Sequence, residues 1–355
     1  MVRVEKMTQP AQREKLTTLF QWAKDQGVQH EREIRKLLRS GDRRLRVAAA
    51  AALWRTEQES EGLPALIQAF CSKERDLQLA ALYAMSLMRE HAQRALLRIL
   101  REGKRKTYHP QVIRFLGEQP TEATLASLKR YVNADDQEVA KSAIRAFALS
   151  DDSGTEKEWG ERAVTIQSEH VVPTLTVIVH GTWADEATWW RWPTEFPQYI
   201  NQNPGDVYKG PRPFKWSGDN THEARTEGGQ ALVRWMQEHP AEKLTVVAHS
   251  HGGNVGFIAS QMGLKIQKLI LMGTPIRTDY LPDMNNIQTI YNILSLDDFV
   301  QILGAELVPR NGGRVLPEAR ENIEVETNSI CNPHSELRTV PLWKRHKLER
   351  ILKDS

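Results

Sequence analysis

Two rhythms of apolar positions run along the chain. Residues 1–150 carry stretches such as "DRRLRVAAAAAL" (42–53), "GLPALIQAF" (62–70), "AQRALLRIL" (92–100) and "TEATLASLKRYV" (121–132), rich in Ala, Leu, Arg, Glu and Gln. These are good helix formers, and the whole segment reads as helical. Beyond residue 170 the texture changes to short β-rich runs: "PTLTVIVHG" (173–181), "KLTVVAHS" (243–250), "KIQKLILMG" (265–273), "IQTIYNILS" (287–295) and "NIEVETN" (322–328). Helical patterns lie between or after them: "EGGQALVRWMQEH" (227–239), "NVGFIASQM" (254–262) and "PLWKRHKLERILKD" (341–354). Nearly continuous apolar strands alternating with helices predict a parallel sheet covered on both faces.

The helical half repeats itself. "DRRLRVAAAAAL" and "ERDLQLAALYAM" (74–85) share one order of charged, apolar and alanine positions, with Leu45 and Val47 falling against Leu77 and Leu79. "DDQEVAKSAIRAFA" (135–148) is a further copy and "HPQVIRFLGE" (109–118) a weaker one. Helix pairs at a period near 30 predict a solenoid, in which alanines let paired helices approach and an Asp caps the helix start. The pattern resembles HEAT repeats, about four of them, over residues 1–150. A polar stretch rich in Ser, Gly and acids follows, and 151–169 is read as a linker before a second domain at 170–355.

In "LTVVAHSHGGNV" (244–255) a strand runs into Ser250 and a helix follows. That is the setting of a nucleophile elbow, whose tight turn demands small residues two before and two after the serine. Ala248 and Gly252 occupy those places. The helix start aims N–H groups and a positive dipole end at the serine, which favours an oxyanion. The pattern is weak alone, and its context strengthens it. His180-Gly181 ends the preceding strand, acids follow the strand at 287–295, and His334 in "NPHSEL" (332–337) lies between the last strand and the last helix.

This set resembles bacterial α/β-hydrolases of the lipase/esterase type, over about 170–355. The resemblance implies a minimal sheet of about six strands and the chain order Ser250, Asp298, His334 for a catalytic triad. It favours Asp298 over its neighbour Asp297, because Asp298-Phe299-Val300 matches the family's acid-x-Val. The oxyanion donors it implies are the backbone N–H groups of Thr182 and His251, with His180, Gly181, Ala248, His249 and Gly252 as supporting residues. It also implies ester hydrolysis through an acyl-enzyme, with no metal and no cofactor. A thioesterase or peptidase would use the same triad. An interaction scaffold with a non-catalytic hydrolase domain is the alternative from another class.

Five of the ten tryptophans fall between Trp183 and Trp216. Trp183, Trp189 and Trp216 are expected to wall a cleft for an apolar, lipid-like or small ester, with "FKWSGDN" (214–220) and Arg225 shaping one side. His30, His91 and His109 read as surface residues of the solenoid. The basic run "REGKRKTYH" (101–109) reads as a solvated loop, and no nucleic acid is expected.

Composition changes the picture only at its edges. The net charge is +3, but residues 1–150 carry 27 Lys and Arg against 18 Asp and Glu, and residues 151–355 carry 21 against 27. The halves are thus +9 and −6, which suits two modules that attract each other. Cys71 and Cys331 are the only cysteines, so no disulfide framework or zinc site is expected. No apolar run reaches about 18 residues, and neither a transmembrane segment nor a secretion signal is read. A cytoplasmic location is expected, with a protein partner for residues 1–150 as docking module and with the helical and catalytic functions separable.

Overall fold

The computed structural model describes residues 9–24, 30–101, 109–134, 136–150, 171–203, 205–304, 311–328 and 332–354. The stretch read as a linker, 151–169, falls wholly outside them, as does most of the basic run. The N-terminal region forms helices α1 (Gln9–Lys24), α2 (Glu31–Leu37), α3 (Arg43–Glu57), α4 (Leu63–Phe70), α5 (Arg75–Leu87), α6 (Arg89–Arg101), α7 (His109–Glu118), α8 (Glu122–Leu128) and α9 (Gln137–Ser150). Each helix falls on a segment whose pattern predicts it, or flanks one. Asp42 caps α3, its carboxylate accepting from Arg44 N at 2.9 Å. In α3 every residue from Val47 to Leu53 is buried, so its alanines face neighbours on all sides. Small residues set the spacing elsewhere too: a Cβ on Gly117 of α7 would lie 2.7 Å from Ala146 Cβ of α9. His109 is buried rather than exposed, because it opens α7 and packs edge-on against Tyr131.

The second region is built on a five-stranded parallel sheet: β1 (Val172–Val179), β2 (Ala241–His249), β3 (Ile266–Met272), β5 (Ile287–Leu294) and β7 (Glu321–Glu324), in that order. Two short strands, β4 (Ile276–Arg277) and β6 (Asn311–Gly313), pair antiparallel apart from it. The expected sheet of about six is therefore five, with its remaining β-structure in a separate ribbon. Alternate residues face opposite ways. Val177, Val179, Val246, Ala248, Leu269 and Leu271 pack under α11 (His222–Glu238) and α12 (Gly252–Gln261). Ile178, Val247, Ile270, Met272 and Ile293 pack against α10 (Glu195–Gln202) and the C-terminal segment around Trp343. The C-terminal helical pattern is split into Val340–Arg345 and Arg350–Lys353, with Lys347 at φ 52 between them.

The two regions share one apolar cluster. Trp183 and the short helix α13 (Phe299–Ile302) with Leu303 belong to the core of the N-terminal helices. Beside it, Arg114 of α7 pairs with Asp185 at 2.9 Å and Asp219 at 3.0 Å and donates to the Ser217 carbonyl at 2.9 Å. Burial disfavours its charge, but Asp219 and Asp185 hold its pKa above the ordinary value. Among the described residues no helix is long and apolar enough to cross a membrane.

Candidate active site

The end of β2 carries the site. The strand is hydrogen-bonded on both sides, to β1 and β3, so Ser250 leaves it from the middle of the sheet. Ser250 then adopts φ 54, a left-handed conformation that a non-glycine residue rarely holds and that costs on the order of 1 kcal/mol or more. Its N–H is anchored to the Met272 carbonyl at 2.9 Å, and α12 begins two residues later. The turn closes so tightly that a Cβ on Gly252 would lie 2.6 Å from the His180 carbonyl oxygen and 2.7 Å from that of Val179. A Cβ on Gly181 would lie 2.6 Å from Ser250 Cβ. Both glycines are thus required by close approach, and Ala248 is fully buried on the strand before them.

His334 and Asp298 come from separate loops beyond β7 and β5. His334 Nδ1 lies 2.6 Å from Asp298 Oδ2, and both side chains are fully buried. Asp298, and not Asp297, reaches the histidine. It also caps α13 by accepting from Gln301 N at 2.9 Å, which fixes its carboxylate. Gly273 at φ 62 makes room for the pair, since a Cβ there would meet Asp298 Oδ2 at 2.9 Å and His334 Nδ1 at 3.1 Å. His334 Nε2 and Ser250 Oγ are both buried without a hydrogen-bond partner.

Electrostatics separate the four histidines. Burial pushes His180 down to about 4 and drives His249 and His251 well below the ordinary value. Burial also opposes protonation of His334, yet the adjoining Asp298 carboxylate, with Asp76 further off, raises it above 6.5. The neutral three have structural work. His249 Nε2 meets the His334 carbonyl at 3.0 Å, with the two rings 4.6 Å apart. The His180 ring stacks on Trp216 and meets Trp190 at a tilt, and its Nδ1 lies 3.0 Å from the Gly181 carbonyl. His251 Nδ1 lies 2.9 Å from Asn254 Nδ2. Among the described residues, the backbone N–H groups of Thr182 and His251 have no acceptor.

Of the expected cleft tryptophans, Trp189 lines open space. It borders a cavity of about 460 Å³ with Phe196, Ser335 and Arg338, and it packs edge-on against His249. Trp183 is buried among the N-terminal helices, with its ring 5.6 Å from Phe70 and its Nε1 donating to Glu118 at 2.5 Å. Trp216 is buried against His180 and donates to the His180 carbonyl at 2.7 Å. Their indole N–H groups are spent on internal partners, so they hold the loop after β1 rather than wall a cleft. Arg225 is likewise buried, donating to Tyr280 and Asn220.

Sequence reasoning missed the contribution of α5, whose residues lie against the site. Asp76 Oδ2 accepts from His334 N at 2.8 Å and Ser335 N at 3.3 Å, and Oδ1 accepts from Ser335 Oγ at 2.7 Å. Burial pushes its carboxyl above the ordinary range. Arg75 donates to the carbonyls of Thr182 at 3.0 Å and Trp183 at 2.6 Å, and burial lowers it to about 10. Tyr83 reaches Thr182 Oγ1 at 3.4 Å. The N-terminal helices therefore contact the site, whereas the sequence reading placed every site residue in the second region. A signal existed: at the repeat step of 32, Asp76 and Tyr83 fall where the first copy has Arg44 and Ala51.

No family model and no curated protein matches the chain. Among solved structures, an uncharacterized protein from Bacillus cereus is 11% identical, with 87% of this chain and 98% of that one covered, at a TM-score of 0.30, too low for the likeness to carry an argument.

Proposed function

We propose that the chain is a serine hydrolase acting on carboxylic esters, with Ser250 as nucleophile, His334 as base and Asp298 as the group that holds the imidazole. The observation that carries the reading is the buried 2.6 Å bond from His334 Nδ1 to Asp298, which fixes the tautomer with Nε2 as acceptor. In the reaction His334 takes the Ser250 proton as Oγ attacks the ester carbonyl. The carbonyl oxygen becomes negative and is received by the N–H groups of Thr182 and His251. Collapse expels the alcohol, protonated by His334, and water then releases the acid by the same route. The N-terminal helices are read as HEAT-like pairs, and a cytoplasmic location fits the two-cysteine chain.

The test is labelling with a fluorophosphonate and turnover of a panel of small esters. Wild type should label and turn over. Ser250→Ala should abolish labelling and lower turnover by about 10⁴-fold or more. A wild-type protein inert to both, or equal labelling of the variant, overturns the reading and favours a scaffold.

A further inference from the structure

Tyr83 belongs to the helical repeat region, yet its hydroxyl lies in the corner where Ser250 ends β2. Two contacts fix it there. The hydroxyl is 3.4 Å from Thr182 Oγ1, and the ring meets the His251 ring edge-on at 5.6 Å. Ser250 Oγ, between these two residues in the proposed site, is buried with no hydrogen-bond partner. Thr182 and His251 are the residues whose N–H groups would receive a reacting carbonyl, and Tyr83 touches both. Its side chain is 2% exposed, and burial pushes its pKa up, so the hydroxyl stays protonated and able to donate.

We propose that Tyr83 is a catalytic residue supplied by the repeat region, its O–H donating to the oxyanion that forms when Ser250 attacks an ester. The inference rests on the serine-hydrolase reading above. In the step, the Ser250 proton passes to His334 Nε2, the Oγ–C bond forms, and the carbonyl electron pair moves onto oxygen. That oxygen accepts from the Thr182 N–H, the His251 N–H and the Tyr83 O–H. No proton leaves Tyr83, and when the tetrahedral species collapses the pair returns to the carbonyl and the leaving alkoxide takes the proton from His334. A donor preset in a dry corner is worth more than one in water, because nothing must reorganise as charge appears.

The position also explains why a large polar aromatic stands in a row of alanines. α5 buries Leu79, Ala80, Ala81, Leu82 and Ala84 among the helices, and Tyr83 is the residue of that run whose polar atom reaches the second region. Arg75 and Asp76 on the same helix hold the two loops on either side, the one after β1 and the one carrying His334. α5 thus sets the distance between the base, the donor pair and the phenol.

The experiment uses the full-length chain and compares wild type, Ser250→Ala, Tyr83→Phe and Tyr83→Ala on one small soluble ester. Fold is checked by circular dichroism and thermal melting. Tyr83→Phe removes one oxygen and should lower kcat by about 10²-fold with KM little changed, as for other oxyanion donors. Tyr83→Ala should be no faster. A Tyr83→Phe kcat within about threefold of wild type overturns the proposal. So does a Tyr83→Ala variant that outpaces wild type, because the tyrosine would then be a plug. Should Tyr83→Phe fail to fold, Tyr83→Met, apolar and flexible, takes its place with the same expected loss. If Ser250→Ala keeps full turnover, the nucleophile assignment fails and this proposal with it. If Ser250→Ala is inactive while Tyr83→Phe is unaffected, only the role of Tyr83 falls.

Discussion

Asp297 and Asp298 are adjacent in sequence and differ wholly in environment. Asp298 is sealed beneath His334, whereas Asp297 is half-buried. Asp298→Asn, with its oxygen kept by Gln301 N, should turn an amide N–H toward His334 Nδ1, favour the wrong tautomer and cost up to about 10⁴-fold in turnover. Asp297→Asn should stay within about tenfold, and a reversed ranking of the two in a steady-state assay contradicts the geometry. The acid limb of the pH profile follows from the same pair. As the proposed base His334 would act only when neutral, and the adjoining Asp298 carboxylate raises its pKa above the ordinary value, so turnover should already decline as pH falls through values above 6.5. His249 and His251, held neutral well below that, contribute nothing to this limb. A log kcat/KM profile with its acid midpoint below 6.5 would assign the limb to another group.

The turn between β2 and α12 works because its neighbours lack side chains. Gly252→Ala would drive a Cβ into two backbone carbonyls at 2.6 and 2.7 Å, atoms that cannot swing aside. We expect a loss of about 1–3 kcal/mol in a denaturant titration, as for an overpacked core. A stability change under about 0.5 kcal/mol would mean the turn is looser than the geometry requires. These elements were legible in the sequence. Strand runs, helix starts and the small-x-Ser-x-small spacing are local, so β1, β2, β3 and the elbow sit where the pattern puts them. The split of the C-terminal helix and the detached β4–β6 ribbon were not, because both are settled by packing between distant segments. The tryptophans were misread for the same reason. Periodicity shows that Trp183 and Trp216 are apolar in a loop but not which surface receives them.

Between the two regions, the joint is polar as well as apolar. Arg114 serves two buried carboxylates and a carbonyl, and Asp185 and Asp219 would lose their shared cation in Arg114→Ala. Removing one partner from a buried ionic cluster costs about 3 kcal/mol or more. The variant should melt at clearly lower temperature and, because α7 and α5 share one core, lose ester turnover as well. Unchanged melting would show that this ionic cluster does not hold the halves together. The sequence announced this joint only as opposite net charges, +9 and −6, a sum that names neither Arg114 nor its acceptors.

The bond from Asp76 to the His334 backbone spans 258 positions of the chain. Contacts of such separation form late, since the intervening loop must first be closed. A chain emerging from synthesis would hold its helices long before His334 exists, and the elbow before α5 has docked on it. Chemical competence would therefore be the last property acquired. On dilution from denaturant, the helical signal should return first and fluorophosphonate reactivity should follow with the slowest phase. On the serine-hydrolase reading, Ser250 would stay incomplete until α5 and the His334 segment have met, so no half-made hydrolase would be at large.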